Sequence, residues 1–338
     1  MPGPRPRLLV LAPKPLFESF FDVPRRARLT GGFTWRRLEA GRVTPRVRAA
    51  LRDAAALVTT WDSPSFDETL PELAPELRVV AHCGGEVKAR FSRRLFERLV
   101  IANAPGPMAT PVAELAVTFL LLHARRLDAY RESLRRGSTR IYQTLHDHGT
   151  VGETLQGRRV GLLGFGRIGR ETARLLRPFA PVLLVHDPHV PASRILRAGA
   201  EPVTLPALLK SSELLVVAAG LTAETRGLLN RRRLRLLPRG AAVVNVARGG
   251  LVDMDALAAE VRTGRLRCAL DVTDPREPLP STHPLRNMRG AVVTPHVGAA
   301  NVGVRRAIAD IVLDNLERFF RGERVRTRIT LAMLDRMT

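Results

Sequence analysis

The chain has 338 residues, 45% hydrophobic and 25% charged, which excludes a disordered, collagen-like or stapled miniature scaffold and allows two domains, each with its own core. Its 54 basic residues exceed its 32 acidic ones by 22, a surplus that raises the prospect of an anionic partner. Apart from Lys14, Lys88 and Lys210 the basic residues are all arginines, spread along the whole chain, and the lack of a localised basic footprint argues against nucleic acid.

From the N-terminus, the apolar run at 8–12 is cut by Pro13 and Lys14, which suits a first strand and not a secretory leader. RLLVLA, ALVTT, LRVVAH and LVIANAP, all within the first 105 residues, are continuous apolar runs of the kind buried on both faces of a parallel sheet. A helix is expected over 112–125. The longest strongly apolar stretch, 115–122, is too short for a membrane span. A polar, arginine-rich arm follows over 126–156, containing His146 and His148.

The strand pattern restarts with RRVGLLG, then PVLLVHD, ELLVVAA, GAAVVNVARG, LRCALDV and GAVVTPH, with helical patterns between most of them. This predicts a second βαβ sheet. Arg231, Arg232, Arg233 and Arg235 read as a solvated helix face, since no aromatics interleave. A terminal helix over 299–320 places Ile308, Ile311, Val312, Leu316, Phe319 and Phe320 on one apolar stripe. Cys83 and Cys268 have no CxxC spacing, which supports neither a disulfide framework nor a zinc site and fits a reducing cytoplasm. No histidine has a convincing metal-ligand set.

Gly164-Phe165-Gly166-Arg167-Ile168-Gly169 follows the apolar VGLL and opens a helical pattern. A G-x-G-x-x-G in this context supplies a tight turn, close backbone approach to a pyrophosphate, and close helix–strand packing, with the helix N-terminus facing the anion. The next strand ends in Asp187, 18 residues beyond Gly169, where a carboxylate can accept from both ribose hydroxyls of a dinucleotide and oppose a 2′-phosphate, favouring NAD over NADP. The alternative role for Asp187 is capping the turn before Pro188. Three further strands end at the same sheet edge in segments carrying Arg248, Asp271, Glu277 and His296, and ligands bind there in open α/β sheets.

GFGRIGR, NVARGGLVD, LDVTDP with the following EPLP, and TPHVGAA occur in the order seen in the D-isomer-specific 2-hydroxyacid dehydrogenases, and the chain resembles that family from about residue 78 to 320. The resemblance implies two Rossmann-like or flavodoxin-like parallel-sheet domains with a cleft between them. A discontinuous substrate-binding domain (1–107 and 301–338) would surround an NAD-binding domain (108–300), usually in a homodimer. It implies that Arg248 clamps the substrate carboxylate and carbonyl, His296 gives or takes the proton, Glu277 orients the histidine, and Asp271 lies near the nicotinamide carboxamide. The substrate is then a small 2-oxo acid interconverted with its D-2-hydroxy acid, of hydroxypyruvate or glyoxylate type.

Where the family carries a G-x-G-x-D loop for the substrate carboxylate, this chain reads His82-Cys83-Gly84-Gly85-Glu86-Val87-Lys88, so Gly84 and Gly85 are the substrate-binding candidates and substrate identity stays open. Arg276 is an extra residue before Glu277, which is assigned by its following proline. Two alternatives remain: an NAD-binding corepressor-like scaffold of the same fold, and a dehydrogenase of a phosphorylated hydroxy acid. Formate dehydrogenase, which typically has glutamine at the place of Glu277, fits less well.

Overall fold

A computed structural model describes residues 4–137, 140, 143–144, 153–335 and 337; His146 and His148 lie outside them. The chain divides into two compact units, Met1–Pro107 with Ala300–Thr338, and Met108–Ala299.

The first unit is a five-stranded parallel sheet in the order β2-β1-β3-β4-β5, with β1 Arg7–Leu11, β2 Thr34–Leu38, β3 Ala56–Thr59, β4 Val79–His82 and β5 Val100–Asn103. This is the flavodoxin-like order. Strand β2 (TWRRL) carries no sequence signal because it is an edge strand, exposed or half-exposed throughout, and charge on an edge discourages further pairing. The C-terminal segment joins this unit at β5, where Ile329 N donates to Ile101 O at 2.8 Å and Thr327 Oγ1 donates to Asn103 O at 2.5 Å, and Thr327 is itself held by buried Asn315, whose Nδ2 donates to Thr327 Oγ1 at 2.7 Å. Arg28 Nη2 donates to Glu317 Oε2 at 3.0 Å. The terminal helix runs Val302–Phe320, capped by the Asn301 side chain, and buries Ile308, Val312, Leu313 and Leu316. Ile311, Phe319 and Phe320 are only half-buried, a correction to the expected stripe; Arg78 covers the Phe320 ring at 5.2 Å.

The second unit is a seven-stranded parallel sheet, β12-β11-β10-β9-β6-β7-β8, with β6 Arg159–Leu163, β7 Val182–His186, β8 Glu201–Pro202, β9 Leu214–Val217, β10 Ala242–Asn245, β11 Arg267–Leu270 and β12 Ala291–Val293. Strand order reverses between β6 and β9, the crevice position where dinucleotides bind in doubly wound sheets. Alternate residues of the central strands enter opposite cores: Leu214 and Val216 one, Leu215 and Val217 the other. Helix Ala109–Ala124 starts earlier than its periodicity implied. The stretch Gly106–Ala124 is, at 19 residues, long and apolar enough by length and composition to cross a membrane, contrary to the sequence expectation. Its Val112, Ala116 and Leu120 are instead packed into the core with Val160 and Val216. Within the expected arm, Leu127–Arg135 is helical. The short helix Arg231–Leu234 buries only Leu234.

Candidate active site

The three glycines of the β6 loop do different physical work. Gly164 has φ +97°, and a Cβ there would meet the Ala219 backbone at 2.6 Å, so neither the conformation nor the space admits another residue. Gly169 is buried, and its Cβ would overlap the Gly164 carbonyl oxygen, so it sets how closely helix Arg167–Leu176 seats on the strand. Gly166, the N-cap of that helix, is exposed with nothing within 4 Å of where a Cβ would stand. Open space above a helix N-terminus fits the pyrophosphate of a dinucleotide. Arg167 is exposed beside it and Ile168 is half-buried.

Asp187, at the end of β7, has both carboxylate oxygens engaged: Oδ2 accepts from Phe165 N at 2.7 Å and Oδ1 from His189 N at 2.9 Å. It therefore caps its own turn and ties it to the glycine loop. Around it, Arg170 has its pKa lowered first by burial and then by the charges of Arg194 and Arg167, against the attraction of Asp187.

The other candidates follow β10, β11 and β12. Buried Asn245 shapes the β10 turn: Oδ1 accepts from Ala247 N at 3.1 Å and Nδ2 donates to Arg248 O at 2.9 Å. The next residue but three, Gly249, would overlap the Thr273–Asp274 backbone if it carried a Cβ. This close approach brings the Arg248 turn against the loop after β11. Arg248 is half-buried and donates Nη1 to Ala247 O at 2.7 Å.

Asp271 is almost fully buried at the end of β11. Its Oδ1 accepts from Thr294 Oγ1 at 2.6 Å and Val297 N at 2.8 Å, and its Oδ2 from Gly298 N at 2.9 Å. The carboxylate expected near the nicotinamide carboxamide thus also clasps the loop that carries His296. The His296 N–H also donates to Asp271 O at 2.8 Å.

Glu277 and His296 meet directly, with Oε2 2.6 Å from Nδ1. The surplus residue before Glu277 is taken up locally: Thr273 Oγ1 donates to Arg276 O at 2.6 Å and Thr273 N to Glu277 Oε1 at 3.0 Å, while the Arg276 side chain is exposed. The hydrogen bond to Glu277 raises the His296 pKa above 6.5; burial opposes it, the Glu277 and Asp271 charges add to it, and the Arg248 charge lowers it. For Glu277, burial works against ionisation, but the hydrogen bond and charge of His296, the Thr273 N–H and the Arg248 charge together hold its pKa below the ordinary value. Both shifts favour the imidazolium–carboxylate form of the pair, and the Nδ1 contact leaves Nε2 free of Glu277. Asn245, Thr273 and Thr294 were not singled out in the sequence; the signal was a polar residue closing or following an apolar strand.

In the first unit, the loop after β4 departs from a simple glycine cradle. Gly84 O accepts from Ala104 N at 2.9 Å and Gly85 O from Asn103 Nδ2 at 2.6 Å. Glycine is required at 84 because a Cβ would stand 2.7 Å from Nε2 of buried His82. Burial, aided by the Arg90 charge, pulls the His82 pKa down to about 3, so its ring is a neutral packing element bonded to Thr59 Oγ1 at 2.9 Å. Cys83 and Cys268 are buried free thiols, and burial pushes the Cys268 pKa up to about 12. Among the described residues no group of three or more His, Cys, Asp or Glu could hold a metal ion.

Residues 117–298 match the family model for the NAD-binding domain of D-isomer-specific 2-hydroxyacid dehydrogenases. The chain is 34% identical over 276 residues to a glyoxylate reductase of Thermococcus kodakarensis, covering 81% of this chain and 82% of that one. It is 33% identical over 233 residues to the human glyoxylate reductase/hydroxypyruvate reductase, covering 68% and 70%. Among solved structures, the NADPH-dependent glyoxylate/hydroxypyruvate reductase of Sinorhizobium meliloti superposes with a TM-score of 0.77 at 27% identity, over 97% of this chain and 98% of that one.

Proposed function

Since this chain belongs to the D-isomer-specific 2-hydroxyacid dehydrogenase family, whose members interconvert 2-oxo and 2-hydroxy acids with NAD, we propose that its substrates are glyoxylate and hydroxypyruvate and that Arg248, Glu277 and His296 are the catalytic set. The observation that carries this reading is the 2.6 Å Glu277–His296 pair on a loop beside the Arg248 turn. The relatives named for glyoxylate and hydroxypyruvate reduction support the substrate class.

Bound NADH supplies the hydride for the carbonyl carbon. Arg248 offers a planar guanidinium that pairs at two points with the substrate carboxylate and carbonyl oxygen, polarising the carbonyl. His296 donates its Nε2 proton to that oxygen as it becomes a hydroxyl, and in the reverse direction the neutral ring accepts the proton. Glu277 holds the ring by Nδ1 and stabilises the imidazolium. Asp187 disfavours a 2′-phosphate by charge, which makes NADH the preferred reductant. Within the first unit, the loop at Gly84 and Gly85, whose carbonyls are anchored by Ala104 N and Asn103 Nδ2, is the candidate for binding a carboxylate through its backbone N–H groups. Family membership supports a homodimer, which light scattering checks.

A panel of glyoxylate, hydroxypyruvate, pyruvate and phosphohydroxypyruvate, followed by loss of NADH absorbance, tests the assignment. The first two should show the highest kcat/KM. A preference for the phosphorylated acid overturns the substrate assignment, and tight NADH binding without turnover of any 2-oxo acid favours a scaffold role.

A further inference from the structure

The cofactor motifs occupy the carboxyl ends of the second sheet, yet its amino ends carry a cavity of about 270 Å³ walled by Arg126, Arg158, Arg159, Arg239 and Arg267. Arg159 opens β6, Arg239 lies three residues before β10 and Arg267 opens β11. At roughly 3.3 Å per residue, strands of four or five residues set this cavity about 15 Å from the opposite edge. It is therefore separate from the glycine loop.

Five guanidiniums here face two carboxylates, Glu153 and Glu213, and both carboxylates pair with Arg158. Among the described residues no carboxylate lies within ion-pair distance of Arg126, Arg239 or Arg267. Arg267 is held in place by backbone carbonyls, donating to His123 O at 2.5 Å and Gly240 O at 2.7 Å. Burial, then the like charge of Arg126 and less that of Arg158, pulls its pKa down to about 10 against the attraction of Asp128 and Glu153.

Further groups point to a missing ligand. Among the described residues His123, which lines the cavity and is fully buried, has no hydrogen bond of full geometry at either ring nitrogen, its nearest partner being the Cys268 backbone, and buried Arg126 Nε and the neighbouring Asp128 Oδ1 are also unpartnered. Buried polar atoms are ordinarily satisfied. Arg126 also adopts a left-handed backbone, φ 55°, and strain of this kind in a non-glycine residue collects at functional positions.

We propose that this cavity binds a small phosphate-class anion, inorganic phosphate or a phosphomonoester, through Arg126, Arg239 and Arg267 with a His123 ring N–H as a further donor. Guanidinium forks match phosphate oxygens in pairs, and an anion relieves the repulsion among the arginines, so its binding stabilises the fold.

The test is calorimetric titration of the NADH-saturated protein with inorganic phosphate and with methyl phosphate, at constant ionic strength set by chloride, with thermal midpoints recorded in parallel. Saturable binding at one site per chain and a raised midpoint are expected. Arg239→Glu, at an exposed position, should weaken binding at least tenfold, and Arg126→Gly should do the same while removing the backbone strain. Arg167→Ala, in the glycine loop, should leave the phosphate affinity unchanged. Tighter binding of methyl phosphate identifies a monoester as the occupant and equal binding identifies free phosphate; both support the site. Phosphate behaving like chloride overturns the proposal, as does binding lost in Arg167→Ala but kept in Arg239→Glu and Arg126→Gly.

Discussion

His296 stands at φ 57°, a conformation that costs a non-glycine residue free energy unless its surroundings over-determine it. They do: its N–H is fixed by Asp271 O, its ring by Glu277, and the residues on both sides of it by the Asp271 carboxylate. Because Glu277 raises the His296 pKa, the protonated ring persists above pH 6.5, and reduction should decline only as pH passes that raised value, while oxidation gains. In Glu277→Gln the limb of the kcat/KM profile for reduction should move to lower pH; an unmoved limb assigns the titration elsewhere. His296→Ala should lower kcat by about 10²-fold or more. At the other end of the site, Asp187→Ala removes both a negative charge and the cap of the glycine loop. The ratio of kcat/KM for NADH over NADPH should fall, with NADH affected more; an unchanged ratio restricts Asp187 to holding the turn.

The β6 turn and the helix after it separate geometry from ligand contact at the level of one element. Gly164→Ala meets backbone at 2.6 Å in a left-handed conformation, so urea unfolding should show a loss of about 2 kcal/mol or more. Gly166→Ala meets nothing and should change stability by about 1 kcal/mol at most. If the pyrophosphate sits there, the same variant should weaken NADH binding by at least tenfold, read by fluorescence titration. Equal NADH affinity in Gly166→Ala and the parent would move the pyrophosphate away from this helix N-terminus. The loops after β10 and β11 follow the same logic, with Gly249 admitting the Thr273 backbone where any side chain would push the Arg248 turn away from the Glu277 segment.

Two units with separate cores should unfold as two calorimetric components. The unit matched by the NAD-binding family model should be the one that responds to cofactor: NADH at 100 times its Kd adds about 2.7 kcal/mol to whatever binds it. One component should therefore move up in temperature on adding NADH while the other stays near its original midpoint. A single transition displaced as a whole would show the units to be cooperative. The surplus of 22 positive charges is dispersed at this scale, and much of it serves local structure: Arg265 caps the carbonyls of Leu234 and Leu237, and Arg37 donates to Ala12 O.

Buried strands with apolar runs on both faces, the G-x-G-x-x-G between strand and helix, and the four family motifs were legible in the sequence, because burial, glycine requirements and motif spacing are written in consecutive residues. Strand β2 was not, since a solvent-facing edge carries no apolar pattern, and neither was the two-residue β8. The Asp271 clasp on the 294–298 loop, the Thr273 bonds that absorb Arg276, and the arginine-walled cavity join residues from different strands. Such contacts depend on which strand ends become neighbours, and the parallel crossovers place β11 between β10 and β12 only once the whole sheet is assembled. Glu277 marks the boundary: its following proline named it in the sequence, but only packing of the β11 loop against the β12 loop set its carboxylate 2.6 Å from His296.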